Sequence, residues 1–276
     1  GYWLPEGMDL LSETVIRDEL LQNLQAKLSF IRVFDRVAST NQYLLECDEV
    51  SSDGFAVCLA EMQTQGRGRR GREWLSPFGK NIQLSVACQL NMPMSRIAGL
   101  SVAVGVAVAD SVAQLGLGNV ALKWPNDIHI NEQKLAGMLV EIKGEAEGPV
   151  KTVIGIGLNV DLPGQLSAEI DQPVTDLMTH VGGALPLRNM IAARLVQHVC
   201  LAVEEFTANG LNEFIERWSQ YDAYLGKKVL IKSASSQVEG IYRGLDASGG
   251  LLLENQQGIA VYNAGEVSMR SGEVAV

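Results

Sequence analysis

Cysteine is scarce in this 276-residue chain: Cys47, Cys58, Cys88 and Cys200 lie far apart and form no CxxC pair. That spacing excludes a disulfide framework and a thiolate zinc site, and implies reduced, mostly buried thiols of a cytoplasmic protein. Histidine is scarcer still. His129, His180 and His198 show no metal-ligand spacing and no cysteine partners, so no metal ligands are assigned. The longest apolar run, Ile97 to Ala109, stops at Asp110, well short of the roughly 20 residues that span a bilayer. No basic segment leads into a short apolar one, so no secretory signal and no membrane partner are expected. Positive charge is in deficit: 22 Lys+Arg against 32 Asp+Glu give a net charge of -10, which opposes general association with nucleic acid. An anionic ligand must be held by a local basic cluster.

What is present suggests one large domain and one small one, because the length exceeds the usual single-domain mode of roughly 100 to 150 residues. The chain starts at Gly1 rather than at methionine and reads as processed or truncated, with Gly1 to Glu6 resembling a linker, so residues 1–12 are expected to be a linker remnant. Helical spacing of apolar residues runs from Leu10 to Leu28, with Ser12 as N-cap. Ala56 to Ala60 reads as a strand and Asn81 to Cys88 as a half-buried one, with Ile82, Leu84, Val86 and Cys88 inward and Gln83 and Ser85 outward. A helix over Ile97 to Leu115 ends near Gly116. Strands follow at Val120 to Trp124, Ile128 to Ile130, Leu135 to Ile142 and Val153 to Val160. Gly155 and Gly157 in the last would let a ligand approach the backbone. Two helices, Arg188 to Asn209 and Leu211 to Gln220, complete a domain over 13–223. From Tyr224 the texture turns to short strands joined by polar turns, predicting a small β-barrel over 224–276. The fold class is α+β, a mixed sheet with packed helices followed by the barrel.

The strongest chemical signal is Gly66-Arg67-Gly68-Arg69-Arg70-Gly71-Arg72, four arginines in six positions of an acidic chain. Glycines free the backbone to turn toward a ligand and guanidiniums grip phosphate or carboxylate bidentately. A solvated RG-type loop touching RNA is the alternative. No Lys-Ser or Lys-Thr follows, so it is not a P-loop. Lys134 opens an apolar strand, where an edge lysine is the plainer reading. Ser39-Thr40-Asn41 could be a helix cap, and Gly155-Ile156-Gly157-Leu158-Asn159 a bulged strand.

Taken together these pieces resemble a family. Glu61 to Gly79, containing Gln63 and Trp74 around the glycine-arginine run, is similar to the signature of bacterial biotin protein ligases. Lys123-Trp124-Pro125-Asn126-Asp127, Lys134-Leu135-Ala136-Gly137 and Ser39-Thr40-Asn41 match in order and spacing, and the resemblance extends to the terminal Gly265-Glu266-Val267-Ser268-Met269-Arg270. It is closest to the bifunctional ligases that also repress biotin genes through an N-terminal winged helix. That domain is not in this sequence, so DNA binding is not expected of it. Thr64, Gln65, Leu75 and Leu158 are small departures that remove no charged group.

The resemblance implies a class II synthetase-like catalytic domain, an SH3-like barrel and a two-step reaction. Biotin and ATP give biotinyl-5'-AMP and pyrophosphate; a lysine of biotin carboxyl carrier protein then takes the biotin. By resemblance Lys134, Arg67 and Arg69 assist the chemistry. Ser39, Thr40 and Gln63 bond the biotin ureido ring, Asn41 belongs to the same ligand-binding set, and Gly66 and Gly68 wrap carboxylate and phosphate with the arginines. Arg72 binds phosphate, Trp74 stacks on adenine, Asn126 and Asn159 bond its edge, and Gly137 leaves room. Mg²⁺ is implied by ATP, and a homodimer by the repressor type. A lipoate or octanoyl transfer enzyme, which resembles these ligases in fold, is the enzymatic rival; octanoyl transferases act through a cysteine nucleophile. A non-catalytic biotin sensor is the other.

Overall fold

The computed structural model describes residues 9–145, 149–182, 185–233, 236–264 and 268–271. Of the linker expected over residues 1–12, residues 1–8 lie outside them, as do Gly265 to Val267 of the terminal string. Asp9 to Ser12 are no linker but are tied to the fold, with Leu11 buried and its amide donating to Glu61. Ser12 caps α1 (Glu13–Asp18) by accepting from the Val15 amide. The single helix expected from Leu10 to Leu28 is instead α1 and α2 (Gln22–Gln25), separated by an extended Leu21. Its expected C-terminal end belongs to β1 (Leu28–Val37), a strand that the periodicity did not reveal. Ser39 caps α3 (Thr40–Glu46), leading to β2 (Phe55–Gln63) and β3 (Ile82–Leu90).

The apolar run of the sequence folds as α4 (Met94–Ile97) and α5 (Leu100–Ala113). Two single-turn helices, α6 (Gly164–Ser167) and α7 (Leu177–His180), precede α8 (Arg188–Asn209) and α9 (Asn212–Tyr221). Apolar on all sides, α5 is buried between the sheet, α8 and α9, as a helix without a polar face must be. β4 (Val120–Lys123), β5 (Asp127–Ile130), β6 (Gln133–Lys143) and β7 (Val150–Leu158) complete a seven-stranded sheet of order β1-β2-β3-β7-β6-β5-β4. Only the β1–β2 pair is parallel.

One face of this sheet, with Leu59, Leu84, Val86, Ile154 and Ile156, joins the main core under the long helices. The other is floored by small residues and half covered by α3, whose Leu44 packs with Ala56, Cys58, Ala87 and Val153. Both faces of β3 are therefore buried, which corrects the half-buried reading: Gln83 and Ser85 face α3 and the space beside it, not solvent.

A second sheet of order β11-β10-β9-β8-β12 comprises β8 (Lys228–Lys232), β9 (Gln237–Leu245), β10 (Leu251–Asn255), β11 (Gly258–Tyr262) and β12 (Ser268–Ser271). This small antiparallel, SH3-like unit rests on the larger one through the turn at Gly249, whose carbonyl accepts from the buried Trp124 indole at 3.0 Å. The barrel thereby touches the residue just before Pro125-Asn126-Asp127. No helix among the described residues is long and apolar enough to cross a membrane.

Candidate active site

A row of paired residues crosses the α3 face of the sheet: Phe34, Ala60, Gln83, Gly157, Gly137, Asp127 and Lys123. Directly paired residues point to one face, so Ala60, Gly157 and Gly137 leave a trough. Gly155 and Gly157, expected to leave space for a ligand, do line the cavity, and their missing side chains also make room for the protein itself. A Cβ on Gly157 would lie 2.3 Å from the Trp74 ring, and one on Gly155 2.3 Å from Asn41 Oδ1. These glycines let Trp74 and α3 settle onto the sheet. Gly137 likewise lies against Lys134 and the Trp74 ring.

Over the trough hangs the glycine-arginine segment. It was expected to be a loop, and it closes as a hairpin: the Trp74 amide donates to Gly66 O (2.9 Å) and the Gly68 amide to Arg72 O (2.7 Å). Arg70 and Gly71 turn the tip with φ of 58° and 72°. The arginines do not all wave in solvent. Arg69 Nη1 donates to Asn126 Oδ1 (3.2 Å), Arg70 Nη1 to Lys232 O of the barrel (3.4 Å), and Arg67 stands 3.7 Å from Glu141. Burial pulls the Arg69 guanidinium below its ordinary range; Asp127 opposes this, and Arg70 and Arg72 add to it.

Lys134 is not the edge lysine of the plainer reading. Its side chain is only 12% exposed, with Nζ 2.8 Å from Asp127 Oδ1 and 5.6 Å from the centre of the Trp74 ring. Lys134 N donates to Pro173 O, and the Thr175 amide to Lys134 O, pinning the backbone beneath the ammonium. Asp127, the last residue of Lys123-Trp124-Pro125-Asn126-Asp127, lies opposite Gly137 and holds the lysine.

At the other end Thr40 N and Oγ1 both donate to Gln63 Oε1 (2.8 and 3.0 Å). The Ser85 hydroxyl donates to Asn41 Oδ1 (2.6 Å) and lies 2.7 Å from Thr40 Oγ1. Asn41 Nδ2 donates to Glu141 Oε2 (2.7 Å), so its amide braces α3 against the sheet. Asn126 Nδ2 donates to Met138 O (2.6 Å), Asn159 Nδ2 to Thr175 O (3.0 Å), and Asn159 Oδ1 accepts from Asn81 (3.2 Å).

Most of these polar groups meet in one cavity. Of the residues singled out in the sequence, Ser39, Thr40, Asn41, Gln63, Arg67, Gly68, Arg69, Arg72, Trp74, Asn126, Lys134, Gly137 and Asn159 line it. Gly66 does not: it is buried at the hairpin base, where a Cβ would meet Trp74 O at 2.5 Å. Arg70 and Lys123 also line the wall, so six cations face two carboxylates, Glu73 and Asp127. In a chain of net charge -10 such a wall can only favour an anion. Met269 places the barrel at the rim.

Beneath the wall His129 is buried, its Nδ1 paired with Glu132 O (3.1 Å) and its Nε2 without a partner among the described residues. Burial pushes its pKa down to about 4, with Lys123 and Lys134 assisting and Asp127 and the Glu132 carbonyl opposing. The unfolded chain takes up this proton near pH 6.5 and the folded chain only near 4, so stability is full above 6.5 and falls as the pH drops between them. The difference amounts to roughly 3 kcal/mol. Chemical denaturation of His129→Phe from pH 7 to pH 4 should give a stability curve flatter by about that much; parallel curves for variant and wild type would refute the assignment.

Fold and site together define an α+β protein with a built anion-binding cleft and a barrel at its rim. Residues 33–159 match the Biotin/lipoate A/B protein ligase family, and residues 224–270 match the biotin protein ligase C terminal domain. The chain is 38% identical over 273 residues to the bifunctional ligase/repressor BirA of Salmonella typhimurium, covering 99% of this chain and 82% of that protein. It is 34% identical to the biotin--[acetyl-CoA-carboxylase] ligase of Mycobacterium tuberculosis, covering 93% and 95% respectively. Its fold matches the biotin protein ligase from Aquifex aeolicus in complex with biotin and ATP, with a TM-score of 0.73 at 28% identity, covering 88% of this chain and 99% of that one. The chain belongs to the biotin protein ligase family.

Proposed function

We propose that this chain activates biotin with ATP to biotinyl-5'-AMP, releasing pyrophosphate, and then transfers biotin to a lysine of biotin carboxyl carrier protein. The observation that carries the reading is the cation-lined cavity with Lys134 held by Asp127 beneath an arginine hairpin. Two anions must meet there, and each cation within about 4 Å contributes about 4 kcal/mol of Coulomb energy at an effective dielectric near 20. Arg67 and Arg69 would hold the biotin carboxylate against the α-phosphate. Lys134 would meet the charge that builds on the α-phosphate as the carboxylate oxygen attacks. Arg72 would take phosphate oxygens, and Trp74 would stack on adenine with Asn126 and Asn159 at its edge. Thr40, Ser39 and Gln63 would hold the biotin head group. In the second step the acceptor lysine attacks the mixed anhydride and AMP leaves.

Mg²⁺ accompanies ATP in this scheme. Among the described residues no cluster of three or more His, Cys, Asp or Glu forms a metal cage, and Asp127 is already paired with Lys134. Mg²⁺ of this kind is held chiefly by phosphate oxygens and water with one or two carboxylates, so it would enter with the nucleotide. We assign residues 13–223 to catalysis and 224–276 to the barrel. We further propose homodimerisation on binding biotinyl-AMP and a cytoplasmic location.

The thiol-based rival loses support from the cysteines. Burial pushes the Cys58 thiol up, with Cys47 adding to the effect; it pushes Cys88 up to about 12, and Cys200 well above its ordinary value. No cysteine is among the residues lining the cavity. Pyrophosphate release measured with biotin, lipoate or octanoate as the acid tests the scheme. Release that needs biotin, followed by a biotin-sized mass gain on the carrier protein, is expected. Release with lipoate alone would overturn it, and adenylate formation without any transfer would favour a sensor.

A further inference from the structure

The strand residue Gln83 was read from sequence as solvent-facing, yet it is 1% exposed and lines the cavity. Neither its Nε2 nor its Oε1 has a hydrogen-bond partner among the described residues. Folded chains rarely leave a buried carboxamide wholly unpaired. The contrast with its neighbours is sharp, for Asn41, Asn126 and Asn159 all spend their amides on protein groups. Gln83 is therefore a buried amide in this site with both of its polar atoms free to read a ligand.

Its surroundings decide which part of a ligand it reads. In the row across the sheet it lies between Ala60 and Gly157. The Gly157 side is closed by the Trp74 ring. Ser85, the next residue on the same face, lies against Thr40, which is bonded to Gln63. Gln83 thus sits on the Thr40–Gln63 side of Trp74, whereas Asn126, Lys134 and Asp127 stand beyond it. A carboxamide offers one donor and one acceptor side by side. A carboxylate or phosphate would satisfy only the donor, and an alkyl chain neither. A cyclic urea presents the complementary N–H and C=O edge. We propose that Gln83 pairs with the ureido edge of biotin through two hydrogen bonds and so determines head-group specificity; this rests on the biotin reading given above.

The test is calorimetric titration of the full chain and its Gln83→Leu and Gln83→Met variants with biotin, with biotin methylated on its ureido nitrogens, and with ATP. Both variants should bind biotin about ten- to a hundredfold more weakly, as expected for two lost hydrogen bonds. The methylated analogue should bind wild type and variants alike, and ATP affinity should be unchanged. Without ligand the variants should melt no lower than wild type, because an unpaired buried amide has been replaced by an apolar side chain of similar length. That readout separates ligand recognition from a structural role, and two side-chain shapes guard against one that packs badly. Unchanged biotin affinity, an equal loss for the methylated analogue, or a loss confined to ATP would each overturn the proposal. If wild type itself fails to bind biotin, the biotin reading falls, and the proposal with it.

Discussion

Lys134→Ala should slow pyrophosphate release in the first turnover by about a hundred- to a thousandfold, the usual effect of removing one preorganised donor from a developing charge. Calorimetric biotin affinity should change only a few-fold, because Arg67 and Arg69 remain to meet the carboxylate in the ground state. The split follows from the geometry: the Lys134 side chain is 12% exposed, its ammonium fixed at 2.8 Å by Asp127 and set beside the Trp74 ring. A charge so placed needs no reorganisation when negative charge builds on phosphorus, so its contribution falls mainly on the transition state. Lys134→Arg should recover little, since a planar fork cannot occupy the place of a compact ammonium. Asp127 would be left with an uncompensated carboxylate, so Lys134→Ala/Asp127→Asn should melt higher than Lys134→Ala without recovering its rate. A variant that loses only biotin affinity, with its single-turnover rate intact, would remove Lys134 from the chemistry.

Local patterns carry the two long helices of the second half well, though not the single turns at Gly164–Ser167 and Leu177–His180. The run from Arg188 to Asn209 reads to its observed limits because an apolar face repeats at helical spacing and Gly210, at φ 79°, ends it. β1 escaped notice because Arg32, Asp35 and Arg36 break its alternation, as befits a sheet edge with only one neighbour. The inward turn of Gln83 could not be read from β3 alone. It depends on α3, placed over that face by contacts between residues far apart in sequence, such as Ser85 with Thr40 and Asn41 with Glu141. The same holds for Gly157, whose missing side chain is explained by Trp74, remote along the chain. The motifs pointed to the residues that line the cleft, while the division between groups spent on protein and groups left open for ligand needed three dimensions.

One such long-range arrangement was wholly invisible in the sequence and should dominate stability. Arg188, at the start of α8, is buried and donates through Nη2 to Glu61 Oε2 (2.8 Å) and Asn81 O (2.7 Å), and through Nη1 to Asp9 O (2.8 Å). Glu61, 1% exposed, also accepts from the Leu11 amide (2.5 Å). Asn81 in turn donates to Asn159 in the cavity wall. Arg188→Met removes the guanidinium and leaves the Glu61 carboxylate in the core, a change that costs about 3 to 5 kcal/mol. For a domain of this size that is a fall in Tm of roughly 6 to 20 °C. The partner change Glu61→Met alone should be comparably harmful, because it strands the arginine. Together the two substitutions should recover most of the loss, since paired apolar side chains of similar volume often match a buried ion pair. Thermal melts of the two single variants and the double variant decide it. If the single losses simply add in the double variant, Arg188 and Glu61 are not coupled; recovery would establish that the ion pair ties the segment at Asp9 and Leu11 to the strand beneath the active cleft.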